Sequence, residues 1–136
     1  MTRIGVTGAA GRMGKTLIEA IAATDGLILA AALEHSGSTL LGCDAGELAG
    51  VGKSGVALNH RLEDVVADID VLIDFTVPVA TLANVAICQR SGVPMVIGTT
   101  GFAAGQQEQL EAAAGAIAIC QASNFSTGVN LCFKLV

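Results

Sequence analysis

The stretch Arg3-Ile4-Gly5-Val6-Thr7-Gly8-Ala9-Ala10-Gly11-Arg12-Met13-Gly14 decides how this chain is read. Its first five residues are a short β-rich run that ends at Gly8, and from Arg12 to Ala23 the residues Met13, Leu17, Ile18 and Ile21 recur at helical spacing. The order is therefore strand, glycine turn, helix. Asp25-Gly26 breaks the helix, and Leu27 to Leu33 is an unbroken apolar run ending at Glu34, as expected of a parallel strand buried on both faces. One β-α-β unit is complete by residue 34.

The same alternation continues downstream. Val71-Leu72-Ile73 ends at Asp74, a helix is predicted from Val79 to Arg90 with Gly92 as its stop, and Val93 to Ile97 forms another strand ending at Gly98. A helix over Ala103 to Ala114 leads to a strand at Ile117 to Cys120. Between residues 36 and 60 the chain holds six glycines and little periodicity, which reads as a long surface excursion beside a ligand, followed by a short strand at Val56 to Leu58. Strands and helices alternating in this way predict an α/β fold: a doubly wound, mainly parallel sheet of about six strands. The final residues, Gly128 to Val136, start an apolar helix without a closing cap. The expectation is that the chain is the N-terminal part of a longer protein.

Composition agrees with one domain. The 136 residues match a single domain of about 100–150 residues, and 52% apolar against 14% charged residues is enough to build a core. With four Phe and neither Trp nor Tyr, that core is assigned to Ala, Val, Ile and Leu. The net charge is -5 and the seven basic residues are scattered, which argues against a nucleic-acid face or an anionic-membrane patch. No apolar run reaches the roughly 18 residues of a membrane span. Four cysteines without a C-x-x-C pair, and no basic-then-apolar leader at Met1, predict reduced thiols in a cytoplasmic compartment.

Gly8 to Gly14 is a G-x-x-G-x-x-G turn between a strand and a helix, where small residues let backbone N–H groups approach a pyrophosphate at the positive helix end. Glu34 follows Gly14 by twenty residues and closes the second strand, where a carboxylate can accept hydrogen bonds from an adenosine ribose 2′-hydroxyl. Fingerprint and acid together predict a dinucleotide site of Rossmann-like type. Gly14-Lys15-Thr16 also looks like the end of a phosphate-binding P-loop, with Asp74 as a metal-binding strand end, but the required first glycine falls on Ala9. Without Tyr the chain offers no Tyr/Lys proton-transfer pair. Cys120, inside an apolar strand, reads as core before it reads as an acylating nucleophile.

These residues together resemble the dihydrodipicolinate reductase (4-hydroxy-tetrahydrodipicolinate reductase) family of bacterial lysine and diaminopimelate synthesis. The resemblance runs through Gly8 to Gly14, Leu41-Gly42 with Asp44-Ala45-Gly46-Glu47, Ile73-Asp74-Phe75-Thr76 before Pro78, Gly98-Thr99-Thr100-Gly101-Phe102, and Ser123-Asn124-Phe125-Ser126-Thr127-Gly128-Val129-Asn130. It implies a reductase using NADH or NADPH on a small dicarboxylate substrate. By the resemblance Gly8, Ala9, Ala10, Gly11, Arg12 and Met13 hold the cofactor pyrophosphate and Glu34 the adenosine ribose. Gly98, Thr99 and Thr100 with Ala122, Ser123, Asn124 and Phe125 line the nicotinamide side, and Thr100 also reaches the substrate. From the residues alone, the threonines are equally strand-end turn chemistry and Phe125 ordinary core.

Two departures qualify the resemblance. Many members follow the ribose acid with Arg or Lys, whereas here His35 stands in that position, which predicts NADH at least as good as NADPH. The family's His-His-x-x-Lys element and following Gly-Thr, in a C-terminal substrate and tetramerisation domain, are not among these residues. His60 reads as a surface residue and not as the missing acid. The resemblance thus implies a dinucleotide-binding Rossmann-like domain over 1–127, a helix from 128–136 leading into a C-terminal domain, no catalytic residue in this chain, and a homotetrameric full-length parent. The alternative from another class is a stand-alone dinucleotide-binding or redox-sensing module.

Overall fold

The computed structural model describes residues 1–122. The strands are β1 (Thr2–Thr7), β2 (Leu27–Leu33), β3 (Leu58–Asn59), β4 (Val71–Asp74), β5 (Met95–Ile97) and β6 (Ile119–Gln121). The helices are α1 (Arg12–Ala23), α2 (Ala45–Ala49), α3 (Pro78–Ser91) and α4 (Ala104–Ala113). The sheet order is β3-β2-β1-β4-β5-β6, and every neighbouring pair is parallel. The order reverses between β1 and β4, and in open α/β sheets that point opens a crevice at the carboxyl ends of the strands.

Side chains alternate across the sheet because successive Cβ atoms point to opposite faces. Ile4, Val6, Ala32, Val71, Ile73 and Val96 pack on one side with Leu17, Ile18 and Ile21 of α1. Ala31, Leu33, Leu72, Met95 and Ile97 pack on the other with Val85, Cys88 and Leu110 of α3 and α4. Helix α3 begins at Pro78, whose missing N–H is harmless in a first turn, and ends at Gly92, which takes the left-handed conformation (φ 70°).

The excursion between β2 and β3 is more ordered than its sequence suggests. Asp44 accepts from Glu47 N–H (3.0 Å) to cap α2, and its carboxylate also accepts from Ser54 N–H (2.9 Å), Ser54 Oγ (3.0 Å) and Gly55 N–H (2.8 Å). Ala45, Gly46 and Ala49 are buried by this closure. The short strand lies at Leu58–Asn59 and not at Val56 to Leu58, because Ala57 is drawn into an antiparallel bridge with Asp44. Two 3₁₀ turns, Leu62–Asp64 and Val66–Asp68, then carry the chain to β4. Strands β5 and β6 each start two residues later than expected. Cys43 and Cys88 are free thiols, whereas Cys120 is disulfide-bonded, which departs from the expectation of reduced thiols throughout.

Hydrogen bonds to the charged form, led by that from Ser54 N–H, hold the Asp44 carboxyl below the usual carboxylate range. A group lowered in the folded state contributes its stability in full above about pH 4 and loses it as the pH falls through the folded value. Replacing Asp44 by Ala is therefore expected to speed hydrogen exchange at Ser54 and Gly55 at neutral pH, and to make acid unfolding shallower between about pH 4 and 2. Unchanged exchange at those two amides would contradict the role given to Asp44.

Candidate functional site

The turn after β1 is built by close approach. Gly8 adopts φ 68°, the left-handed region, and a Cβ there would also sit 3.2 Å from the Phe75 carbonyl oxygen. Gly14, in the first turn of α1, lies against the turn backbone, and a Cβ would meet Ala9 Cα at 2.6 Å. Gly11 caps α1 with no side-chain hydrogen bond, and no acidic residue stands in the helix's first turn. The positive end of a twelve-residue helix is thereby left open at the carboxyl end of the central strand β1. Ala9 is buried, its N–H bonded to Leu33 O at 3.0 Å, so of the small residues in the turn Gly8 and Gly11 face the crevice.

Glu34 reaches across from the end of β2. Its Oε2 accepts from Ala10 N–H at 2.9 Å and its Oε1 from His35 N–H at 3.2 Å. The carboxylate braces the glycine turn, and each oxygen keeps acceptor capacity for a further donor. Arg12 is exposed, and Met13 is half-buried against the core.

The ends of β4 and β5 are joined by a buried polar cluster. Asp74 is fully buried, its Oδ1 accepting from the hydroxyls of Thr76 (2.6 Å), Thr81 (3.2 Å) and Thr99 (3.3 Å), and its Oδ2 from Asn84 Nδ2 (2.9 Å). Thr99 Oγ1 in turn accepts from Thr76 N–H (2.9 Å) and lies 2.8 Å from Thr81 Oγ1, whose single proton is shared between Thr99 and Asp74. The Thr99 side chain is thus turned inward, and what it offers the crevice is backbone. Thr100, beside it, is exposed. Gly98 donates its N–H to Asp74 O at 2.8 Å, and the Phe75 ring fills the space a Cβ would take at Gly98.

This cluster also removes the P-loop alternative. Asp74 is saturated by neutral donors and faces no solvent, and the Thr16 hydroxyl donates to Arg12 O at 3.0 Å within its own helix. Burial, with the Asp74 charge as a smaller cause, pushes the Cys88 thiol up to about 12, leaving it un-ionised at neutral pH.

Two clefts open at the carboxyl ends of the strands, one at the order reversal and one at β5 and β6. One, of about 590 Å³, runs from Gly8, Gly11 and Glu34 to His60 and to Val77, Ala80 and Asn84 on the α3 side. The other, of about 350 Å³, is lined by residues 99–102 with Gln107, Gln121 and Ala122, the two glutamine amides being reciprocally bonded at 3.0 and 3.2 Å. Of the expected site residues, Gly8, Gly11 and Glu34 are brought to the first cleft and Thr99, Thr100 and Ala122 to the second. Ser123, Asn124, Phe125 and the helix expected from 128 lie outside the described residues. Sequence reasoning missed Thr76, Thr81 and Asn84, whose signal is polar side chains two, seven and ten residues after a strand-ending Asp. His60 is exposed, as expected of a surface residue, and stands at the rim of the first cleft, a placement the sequence did not indicate.

A single parallel sheet with this strand order, a glycine turn after β1 and an acid at the end of β2 define a Rossmann-type α/β domain. The family model for the N-terminus of dihydrodipicolinate reductase matches residues 2–125, so the chain belongs to the dihydrodipicolinate reductase family. A 4-hydroxy-tetrahydrodipicolinate reductase of Saccharophagus degradans is 59% identical over 135 residues, which are 99% of this chain and 50% of that protein. The chain therefore spans about half the length of this curated relative. Among solved structures, a dipicolinate-bound dihydrodipicolinate reductase from Paenisporosarcina sp. TG-14 superposes with a TM-score of 0.74 at 27% identity, covering 99% of this chain and 52% of that one. An amine dehydrogenase from Mycobacterium smegmatis shares the fold, with a TM-score of 0.68 at 20% identity over 88% of this chain and 38% of its own.

Truncating Asp74 to Ala strands the Thr76, Thr81, Thr99 and Asn84 donors and is expected to cost about 3 kcal/mol or more in urea unfolding at pH 7. Asp74→Asn keeps the volume, and rotation of the hydroxyls holds the loss to about 1–2 kcal/mol. Equal losses for the two variants would mean that volume, and not acceptor capacity, is what matters there.

Proposed function

We propose that this chain is the cofactor-binding part of an NAD(P)H-dependent 4-hydroxy-tetrahydrodipicolinate reductase of lysine and diaminopimelate biosynthesis. The observation that carries the reading is the uncapped amino end of α1, packed on a glycine turn that Glu34 braces from the end of β2. A pyrophosphate fits there because the side chains that would fill the space are absent and the helix end is positive. The turn Gly8 to Met13 would hold the pyrophosphate, with the open N–H groups of Arg12 and Met13 in the first turn of α1 as donors. The N–H groups of Ala9, Ala10 and Gly11 are already bonded to Leu33 O, Glu34 Oε2 and Gly8 O. Glu34 would accept from the ribose hydroxyls. Gly98, Thr99, Thr100 and Ala122, with Ser123, Asn124 and Phe125, would line the nicotinamide side.

When bound, the dinucleotide supplies hydride from its nicotinamide ring. This chain's own contribution is orientation: the Asp74 cluster fixes the Gly98-Thr99-Thr100 turn, and Thr100 stands exposed toward the substrate. Protonation of substrate and grip on its carboxylates belong to a C-terminal domain following residues 1–127, in a homotetrameric, cytoplasmic enzyme. Support for this fuller picture comes from the 59% identity to a named reductase, and the dicarboxylate substrate accords with the dipicolinate held by the related Paenisporosarcina protein.

Calorimetric titration tests it. NADH is expected to bind this chain with a dissociation constant on the order of micromolar, about −8 kcal/mol. Glu34→Ala is expected to weaken NADH by about tenfold, through lost ribose contacts and a slackened turn. A folded chain that binds neither NADH nor NADPH would overturn the assignment. An NADPH affinity more than about tenfold above that for NADH would overturn the preference drawn from His35.

A further inference from the structure

We infer that His60 is a specificity-determining residue for the 2′-position of the adenosine ribose, acting together with His35. The inference rests on the reading of the first cleft as the adenosine side of a dinucleotide site. In sequence His60 stands far from Glu34, but the parallel register pairs Ala32 with Leu58 and Leu33 with Asn59. Glu34 N–H then donates to Asn59 O at 2.9 Å. His60, the residue that follows β3, is therefore delivered to the same cleft as Glu34 at the end of β2.

The neighbours of His60 hold it at the lip. Asn59 Oδ1 accepts from Arg61 N–H at 3.0 Å, and Leu62 is buried, so the backbone is pinned on both sides of the exposed imidazole. Among the residues lining this cleft there is one carboxylate, Glu34, and neither Lys nor Arg, so the two imidazoles are its nitrogen-bearing titratable groups. The guanidinium of the neighbouring Arg61 lies 3.5 Å from Asp64. Glu34 favours a 2′-hydroxyl, which can donate to it, and repels a 2′-phosphate, which cannot. An imidazole N–H offsets that repulsion in part, because a ring N–H donates to phosphate oxygens. The balance between NADH and NADPH is therefore set by His35 and His60, one from each of two adjacent strand ends.

The test is calorimetric titration of NADH and NADPH with the parent chain, His60→Ala and His60→Arg. His60 is exposed, and both variants are expected to keep the parent's thermal unfolding profile. For His60→Ala, NADPH is expected to weaken about fivefold with NADH within about twofold of the parent. For His60→Arg, NADPH is expected to tighten about tenfold, because a guanidinium can meet a phosphate with two parallel N–H donors, again with little change in NADH. NADH binding with an NADPH-to-NADH ratio unmoved by both substitutions would overturn the role of His60 and leave the cofactor reading standing. Loss of NADH binding by the parent chain itself would overturn both.

Discussion

A carboxylate with no access to water has to be surrounded by donors before a sheet can close over it, and Asp74 meets that demand with three hydroxyls and an amide. The donors come from three places: the turn after β4, two positions on α3, and the turn after β5. Satisfying one buried charge thus fixes how far the loops after β4 and β5 stand from each other and how α3 is rotated. An apolar residue at this position could pack as well, but it would not specify the direction of four side chains. The crevice takes its shape from this electrostatic requirement as much as from the hydrophobic layers beneath it.

On the other side of the order reversal the same logic appears in milder form. Glu34 is half-buried, and the donor it uses is the Ala10 backbone N–H, so the conformation of the glycine turn and the position of the acid are coupled. The absence of a side-chain cap on α1 costs the helix some stability, and the open amides it leaves are what an anion needs. Binding capacity here is incomplete local hydrogen bonding, kept in place by a well-packed sheet.

Much of this was legible in the amino acids. Buried parallel strands read as continuous Val, Ile, Leu and Ala runs, and α1 carries its apolar residues at helical spacing, so β1, α1, β2, β4 and α3 fall within a residue or two of expectation. Helix α2 did not, because five residues show no periodicity and its cap is tied to Ser54 and Gly55, ten and eleven residues on. The start of β5 was set too early because Val93 and Pro94 extend the apolar run without joining the ladder. Glu34 and the glycine turn were visible because they lie within one β-α-β unit. The cleft position of His60 and the Thr81 and Asn84 partners of Asp74 were not, and Thr99 was legible as a site residue but not as a partner of Asp74, since strand register and helix rotation make these contacts and a linear pattern records neither.

The central pairing of the sheet joins parts of the chain that are distant in sequence: the Thr7 hydroxyl donates to Ile73 O across 66 residues. Contacts of such long range carry a loop-closure penalty before they return any stability, which places parallel sheets among the slower folders. β1 and β2 can associate early around α1, but Asp74 has no Thr99 until a further 25 residues have been added. During synthesis, then, the nascent chain carries a carboxylate bound for the interior whose last partner has not yet been made. The commitment step of folding is expected to await the arrival of β5, so the domain is assembled from its amino end but locked from its carboxyl end.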